Sequence, residues 1–502
     1  MNRKALGITL VWLVGLVIGL RRQDAVAAPW LALDDPLLSP AAGVTAAPVD
    51  STVSITYEQD IDTAYVDENT FPVYAMEFGY IAGAYSVDGG EILFTPGFPF
   101  WPGSLIEAVG TVDTLFVGGG APAEPTVWRF RIATEESSGV LQNSGQLLGD
   151  TLSVDVALGD LDGDGDLDAF VGNNGPNYVW LNNGYGTFTD SGLRLGEIGV
   201  LYPEVELGDL DSDGDLDAFV VTFAEDSFGM IWWNDGEAEF DDMPPTTIDG
   251  IQGEAVALGD VDGDGDLDAV CVQDELAFVM FNDGFGVFSN PLDDLQLQEG
   301  TDAALGDLDV DGDLDLVITN NTGALGSEQV VFLNQGTGAF QLSQEFGGMP
   351  ANSVSLGDLD GDGDLDAMLA ITNPEGQIYA PNEIWWNDGS GTFTDSGQRL
   401  GFDSTNQVAL GDMDGDGDLD AFFANLKLPN EVWMNNGSGV FSISRQFLEK
   451  APMASVELAD LERYDELDGD LDAFLTRFGE PDQVWRNLDQ VFYSILPMIV
   501  KR

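Results

Sequence analysis

The chain has 502 residues, 44% of them apolar and 10% aromatic, and carries 89 acidic against 16 basic side chains for a formal charge of −73. Its aromatic content and a mean hydropathy near zero exclude an acidic disordered chain, which needs low hydrophobicity, so the carboxylates must have a structural use. So few basic residues cannot assemble a phosphate-binding patch, which excludes nucleic acid and anionic membrane surfaces as partners and leaves metal ions and cationic groups.

Two further absences narrow the chemistry. The chain contains no histidine, which removes imidazole-based catalytic triads, zinc sites of the usual composition and the commonest general base. Cys271 is the single cysteine, so no intrachain disulfide exists; between Ala269, Val270 and Val272 it reads as a small buried hydrophobe.

In chain order, Arg3 and Lys4 precede an apolar run from Ala5 to Leu20 and then Ala25-Val26-Ala27, the pattern of a secretory signal peptide over residues 1–27. Arg21 and Arg22 directly after the run leave an uncleaved anchor as the alternative, although the run is short for a bilayer span. The Ala-, Pro- and Leu-rich residues 28–45 read as a linker. In residues 46–135 short alternating segments (Val53, Ile55 and Tyr57; Phe71 and Val73; Ile92 and Phe94; Leu105; Val127 to Ile132) lie between Pro and Gly clusters, which predicts a small β-sandwich. Residues 496–502 form a C-terminal tail to which no role is assigned.

From residue 136 to 495 the chain repeats itself. Gly159-Asp160-Leu161-Asp162-Gly163-Asp164-Gly165-Asp166-Leu167-Asp168 recurs with its first aspartate at Asp209, Asp260, Asp307, Asp358 and Asp412, and a damaged seventh copy begins at Asp460 and Glu462. A period near fifty residues decides the architecture. Each acidic stretch follows an alternating strand such as Val154, Val156, Leu158. It leads into an apolar strand, then a third strand such as Val179-Trp180-Leu181, an Asn-Gly or Asp-Gly hairpin and a returning Gly-x-Gly-x-Phe strand. Four short antiparallel strands per repeat make one propeller blade. The expected fold is therefore all-β: a seven-bladed β-propeller preceded by the sandwich, with eight blades as the alternative if Ala108 to Arg131 is a loopless blade. Val140 to Leu148 resembles a fourth strand with no loop before it, and is expected to close the ring on the last repeat.

These repeats resemble the FG-GAP and VCBS family, whose calcium-loop blades also build the head of integrin α-subunits; loop, Trp strand and Asn-Asp-Gly hairpin recur in fixed order from Val140 to about Phe492. The stretch Ile92-Leu93-Phe94-Thr95-Pro96, then Trp101-Pro102-Gly103 and Val127-Trp128-Arg129-Phe130, is similar to the bacterial Ig-like domains named after the surface-layer protein SbsA.

Calcium takes six to eight oxygen ligands, and alternate carboxylates on a tight turn supply them from one segment. The candidate metal ligands are Asp160, Asp162, Asp164, Asp166 and Asp168 in the first loop, with Asp166 acting through its carbonyl. Their counterparts are Asp209, Asp211, Asp213, Asp215 and Asp217; Asp260, Asp262, Asp264, Asp266 and Asp268; Asp307, Asp309, Asp311, Asp313 and Asp315; Asp358, Asp360, Asp362, Asp364 and Asp366; Asp412, Asp414, Asp416, Asp418 and Asp420. The seventh set is Asp460, Glu462, Asp468, Asp470 and Asp472, which an insertion weakens. The expected cofactor is Ca2+, about six to seven ions for seven copies. Two carboxylates ~4 Å apart repel by ~4 kcal/mol at an effective dielectric of 20, so five per loop call for a cation. An EF-hand is excluded because position 12, its bidentate glutamate, is here Val171, Val220, Cys271, Ile318, Leu369 or Phe423.

Variable connectors between second and third strands, short at Gln273–Ala277 and long at Thr319–Gln329 and Ala370–Glu383, place the expected ligand face opposite the loops. Trp180, Trp232, Trp385, Trp433 and Trp485 could stack on sugars, but their fixed register, with Met280 and Phe332 as replacements, reads as packing between sheets. The expected function is non-catalytic: a secreted or cell-surface calcium-binding protein in adhesion, taking an extracellular protein or glycan. The alternatives are an exported polysaccharide-active enzyme, lyase or glycosidase, using paired carboxylates, and a structural surface spacer. In the sequence no polar constellation breaks the repeat symmetry.

Overall fold

The computed structural model describes residues 36–488 apart from 123, 136, 150–151, 197–201, 223–228, 241–244, 249–250, 252, 274, 291–294, 373–380, 403, 447, 449–452 and 463–468. The signal peptide, the C-terminal tail and Asp468 lie outside the described residues. Among these residues the only helix is one 3-10 turn, Thr63–Tyr65, and no helix is long and apolar enough to cross a membrane.

Residues 36–132 form two four-stranded sheets. One contains Leu37–Ser39, Val53–Thr56, Glu91–Pro96 and Gly83–Asp88; the other Gly79–Tyr80, Val73–Ala75, Leu105–Gly110 and Thr126–Arg131. Val53, Ile55, Phe71, Val73, Ile92, Phe94 and Trp128 are fully buried in the one core between them. Burial alternates along Glu91–Pro96, whereas Val73–Ala75 and Leu105–Gly110 are buried almost throughout, because Val109 and Val127 on the other face of their sheet pack against propeller residues. The linker expected over 28–45 is corrected from residue 37 onward. Leu37–Ser39 pairs with Val53–Thr56, the Pro40 carbonyl accepts the Trp128 indole N–H at 3.1 Å, and Ala47 bridges Ile132. An edge strand held by backbone hydrogen bonds needs no hydropathy pattern, so composition alone concealed it.

Each repeat forms a four-stranded antiparallel sheet, and the first strands contact one another in a closed ring, the last (Met453–Ala459) meeting the first (Ser153–Gly159). Among the described residues seven such sheets make up this β-propeller. The stretch Ala108 to Arg131 belongs to the sandwich and not to the ring. The seventh sheet takes its fourth strand from the far end of the chain: Leu141–Asn143 pairs with Gln483–Asn487, and Leu148 bridges Asp482. The ring thus closes as expected, so opening it requires separating segments about 340 residues apart rather than fraying one end.

Second strands such as Asp168–Asn173 and Asp420–Asn425 are buried along their whole length, because adjacent sheets cover both faces. The position-12 residues Val171, Val220, Cys271, Ile318, Leu369 and Phe423 are all fully buried there. A glycine precedes each of the six intact loops, with Ala459 in the seventh copy; a Cβ on Gly357 would lie 2.5 Å from Leu419 of the next sheet, so glycine lets that leucine seat. The third-strand residues at this register pack between sheets: Trp180, Trp232, Trp485, Met280 and Phe332 are 4–7% exposed, while Trp385 and Trp433 are half-buried against their core clusters.

Candidate metal centres

Each acidic loop folds around its first aspartate. The Asp209 carboxylate accepts the amide N–H groups of Asp213 and Gly214 at 3.1 Å, and Asp412 those of Asp416 and Gly417 at 3.0 Å. The turn needs a left-handed residue at position 6, always glycine, for example Gly363 at φ +98°. Position 9 joins the loop to the rest of the sheet. Asp168 accepts Leu161 N–H at 3.2 Å and Asn182 N–H at 2.7 Å, and Asp315 accepts those of Leu308 and Asn334 at 2.9 and 2.8 Å.

This folding brings carboxylate oxygens together. One oxygen from each of Asp160, Asp162 and Asp168 lies within 4.8 Å of the others, as for Asp260, Asp262 and Asp268 and for Asp358, Asp360 and Asp366. In the second and fourth loops the corresponding trios are Asp209, Asp211, Asp213 and Asp307, Asp309, Asp311. The position-7 side chains of Asp215, Asp266, Asp364 and Asp418 are turned instead toward hairpin glycines Gly236, Gly284, Gly389 and Gly437 of their own sheets. Oδ1 of Asp160, Asp211, Asp309, Asp360 and Asp414 is buried without a hydrogen-bond partner. Buried carboxylate oxygens ordinarily find one, so the donor set fits a hard divalent cation held by positions 1, 3, 5 and 9. A cation so held would neutralise the repulsion and pin the turn.

Electrostatics agree with that reading. Burial, reinforced by neighbouring carboxylates and opposed by the amide hydrogen bonds, pushes Asp168, Asp217, Asp315, Asp366 and Asp420 up to about 8. Burial likewise pushes Asp268 to about 9 and Asp307 to about 8. Only a counter-charge keeps such groups ionised at neutral pH.

The seventh loop differs. Arg486, on the third strand of its sheet, forms an ion pair with Glu462 at 2.5 Å, so a guanidinium sits against the position-3 carboxylate. Of the other expected ligands there, Asp470 and Asp472 are buried.

Sequence reading saw only a hairpin turn at the end of each third strand, and missed a second use for the asparagine that stands there. Asn282 Nδ2 donates to the Leu267 carbonyl of its own loop at 3.1 Å and to the Leu210 carbonyl of the preceding loop at 2.8 Å. Asn182, Asn234, Asn334, Asn387, Asn435 and Asn487 reach the preceding loop in the same way, through Leu461, Leu161, Val261, Leu308, Leu359 and Met413. The seven asparagines therefore tie every loop to its neighbour around a closed circle. The available signal was an invariant Asn at one register in all seven copies.

The loops also seat the sandwich. Glu77 carbonyl accepts Asp160 N–H at 3.1 Å and Tyr74 hydroxyl donates to the Gly265 carbonyl at 2.7 Å. Val127 N–H donates to Gly312, Thr45 hydroxyl to Gly417, and Glu135 N–H to Gly469. Gly43 and Gly79 abut the Gly363 and Gly214 carbonyls. All seven loops are touched, six of them through the position-6 glycine or its equivalent.

Residues 160–220, 209–271, 307–369 and 368–423 match the FG-GAP-like repeat family. No curated protein matches the chain. Among solved structures the chain is similar to a lectin from Agrocybe aegerita that recognises non-reducing terminal N-acetylglucosamine, at 21% identity over 74% of this chain and 88% of that one with a TM-score of 0.41. It is also similar to the BP39L lectin from Burkholderia pseudomallei, at 15% identity over 66% and 98% with a TM-score of 0.48, and to the WD40 propeller domain of Doa1, at 14% over 69% and 97% with a TM-score of 0.44.

Proposed function

We propose that this chain, which carries FG-GAP-like repeats, is an exported, non-catalytic binding protein whose loops hold calcium and whose ligand, an extracellular protein or glycan, docks on the propeller face opposite those loops. One observation carries the reading: the sandwich already occupies the loop face, contacting all seven loops. The opposite face, with its unequal connectors, is left for a partner, and variable loops on a rigid frame are where specificity lies.

Calcium has a mechanical part in this. A cation in one loop fixes the position-2 carbonyl that the next sheet's asparagine grips, and the position-6 carbonyl on which the sandwich rests. At a hundredfold excess over its Kd, one site contributes ~2.7 kcal/mol to stability, so six filled loops set the rigidity of the whole ring.

The deciding experiment measures bound metal and melting temperature before and after EGTA, then glycan-array and surface-protein binding in both states, with polysaccharide-degradation assays alongside. Stoichiometric calcium, a large drop in melting temperature on chelation and calcium-dependent binding without turnover are expected. Unchanged melting after chelation would remove the calcium reading, and turnover would replace binding with the enzymatic alternative.

A further inference from the structure

The propeller axis encloses a cavity of about 340 Å³, and its lining corrects the expectation that no polar constellation breaks the repeat symmetry. Counting back from the residue before each loop, one level of the first strands carries Asp155, Glu204 and Asp302, where other sheets have Ala255, Ser353, Gln407 and Ser455. Two residues further on, the next level carries Glu206 and Glu457, where the others have alanine or Ser355. Since alanine and serine serve the fold equally well at these registers, the propeller does not require the acids. Asp155 is buried and the other four are half-buried around the cavity, and crowding carboxylates there without a counter-charge is costly.

Their pairing state points to a ligand. Asp155 and Asp302 are partly satisfied by the amides of Val205 and Val354, each at 2.9 Å, whereas among the described residues Glu204, Glu206 and Glu457 make no hydrogen bond or ion pair. Independently, the sandwich adds a sixth carboxylate to the lining: Glu77, which accepts Leu105 N–H through Oε1 and faces Arg131, leaves its buried Oε2 without a hydrogen-bond partner. Of the two guanidiniums present, Arg129 is committed to Glu107 and to the Leu258 and Leu305 carbonyls, which leaves Arg131 against six acids.

We propose that the axial cavity binds a short alkyl diamine or polyamine. One ammonium is taken by Asp155, Glu204 and Asp302 and the other by Glu206 and Glu457. The two levels are ~6.6 Å apart along the strands, and the acceptors come from four different sheets, a spacing that suits an extended dication better than a single ion. Ala257, Ala304 and Ala409 also line the cavity and give the alkyl stem an apolar wall. Burial, with Asp155 and Asp302 facing it and Arg129 opposing, pushes Glu206 up to about 8. Glu204 is raised by burial and by Asp155, Asp302, Glu206 and Glu254; Glu457 is raised by burial, Asp155, Glu206 and Glu77, against Arg131. All three shifts favour the protonated carboxyl, so a dication entering among these acids is expected to release protons.

The test is calorimetric titration of the full chain with putrescine at saturating calcium, so that the loops stay filled and a failure here leaves the calcium reading untouched. Expected are one-to-one binding, proton release read from the dependence of the heat on buffer ionisation, and at least about tenfold weaker binding in Glu206→Gln/Glu457→Gln, the loss of charge-assisted hydrogen bonds. Ser355→Arg, which places a guanidinium in the cavity, is expected to abolish binding and to raise the melting temperature, and serves where the double variant fails to fold. Many weak sites indifferent to both variants would overturn the proposal, as would displacement of putrescine by an additional calcium ion.

Discussion

Arg129 and Glu107 meet at 2.7 Å, the carboxylate fully buried, at the point where the sandwich touches the propeller axis. The same guanidinium donates to Leu258 and Leu305 on two adjacent first strands, and Glu107 accepts Asp260 N–H at 3.3 Å. One ion pair thus locks one domain onto two sheets of the other. Arg129→Met is expected to cost about 3–5 kcal/mol, because it leaves a buried charge uncompensated. In urea titration with limited proteolysis, the sandwich should become cleavable before the propeller unfolds. The double variant Glu107→Gln/Arg129→Met should recover part of the loss. Equal stability of the single variant and the parent protein would refute the lock.

The asparagine circle predicts a stability loss spread beyond one sheet. Asn282→Ala orphans the Leu267 and Leu210 carbonyls, each worth about 1–3 kcal/mol when buried. Chemical denaturation should show that loss, and calcium titration should show weaker occupancy of the second and third loops together. An effect confined to the third loop would mean that the circle carries no coupling.

Position 4 of the loops offers a gain. It is left-handed in every intact loop, with glycine in four, but Val310 stands there at φ +60° and Ser212 at +61°. A β-branched residue in that region is strained by ~1–3 kcal/mol. Val310→Gly is therefore expected to stabilise by about 1 kcal/mol after the entropic cost of glycine, read as a higher melting temperature, with Ser212→Gly smaller in effect. A lower melting temperature for Val310→Gly would contradict the assignment.

The pH dependence should invert with metal. In chelated protein the loop carboxylates have folded values near 8 against ~3.9 unfolded. The native state therefore binds more protons than the unfolded state between those limits, and its stability falls as pH rises through that window. Metal-free protein should melt higher at pH 5 than at pH 8. Calcium-saturated protein should do the reverse, because protons compete for the same oxygens. Parallel pH profiles with and without calcium would show that the ion does not occupy these sites.

The tight loop, its glycines, the apolar position 12 and the order of strands were legible because they are local: spacing along the covalent chain sets which carboxylates converge, and period two or a buried run sets each strand. The turns before the third strands are local too: Asn177 and Asn430 accept the Asn173 and Asn425 N–H groups at the ends of their second strands. The edge strand at Leu37–Ser39 and the double use of Asn282 were not legible, since neither hydropathy nor turn propensity reports a backbone partner supplied from elsewhere in the chain.

By itself, then, the amino-acid order determined the repeating sheet, its acidic turns and the closing of the ring by an early strand. Tertiary structure alone decided that those turns would carry the sandwich, and that acids on four separate strands would converge on one axis. The reason is physical: a repeat specifies contacts with itself and its neighbours, whereas groups such as Glu206, Glu457 and Glu77 become adjacent only once seven sheets have packed into a circle and a second domain has covered it.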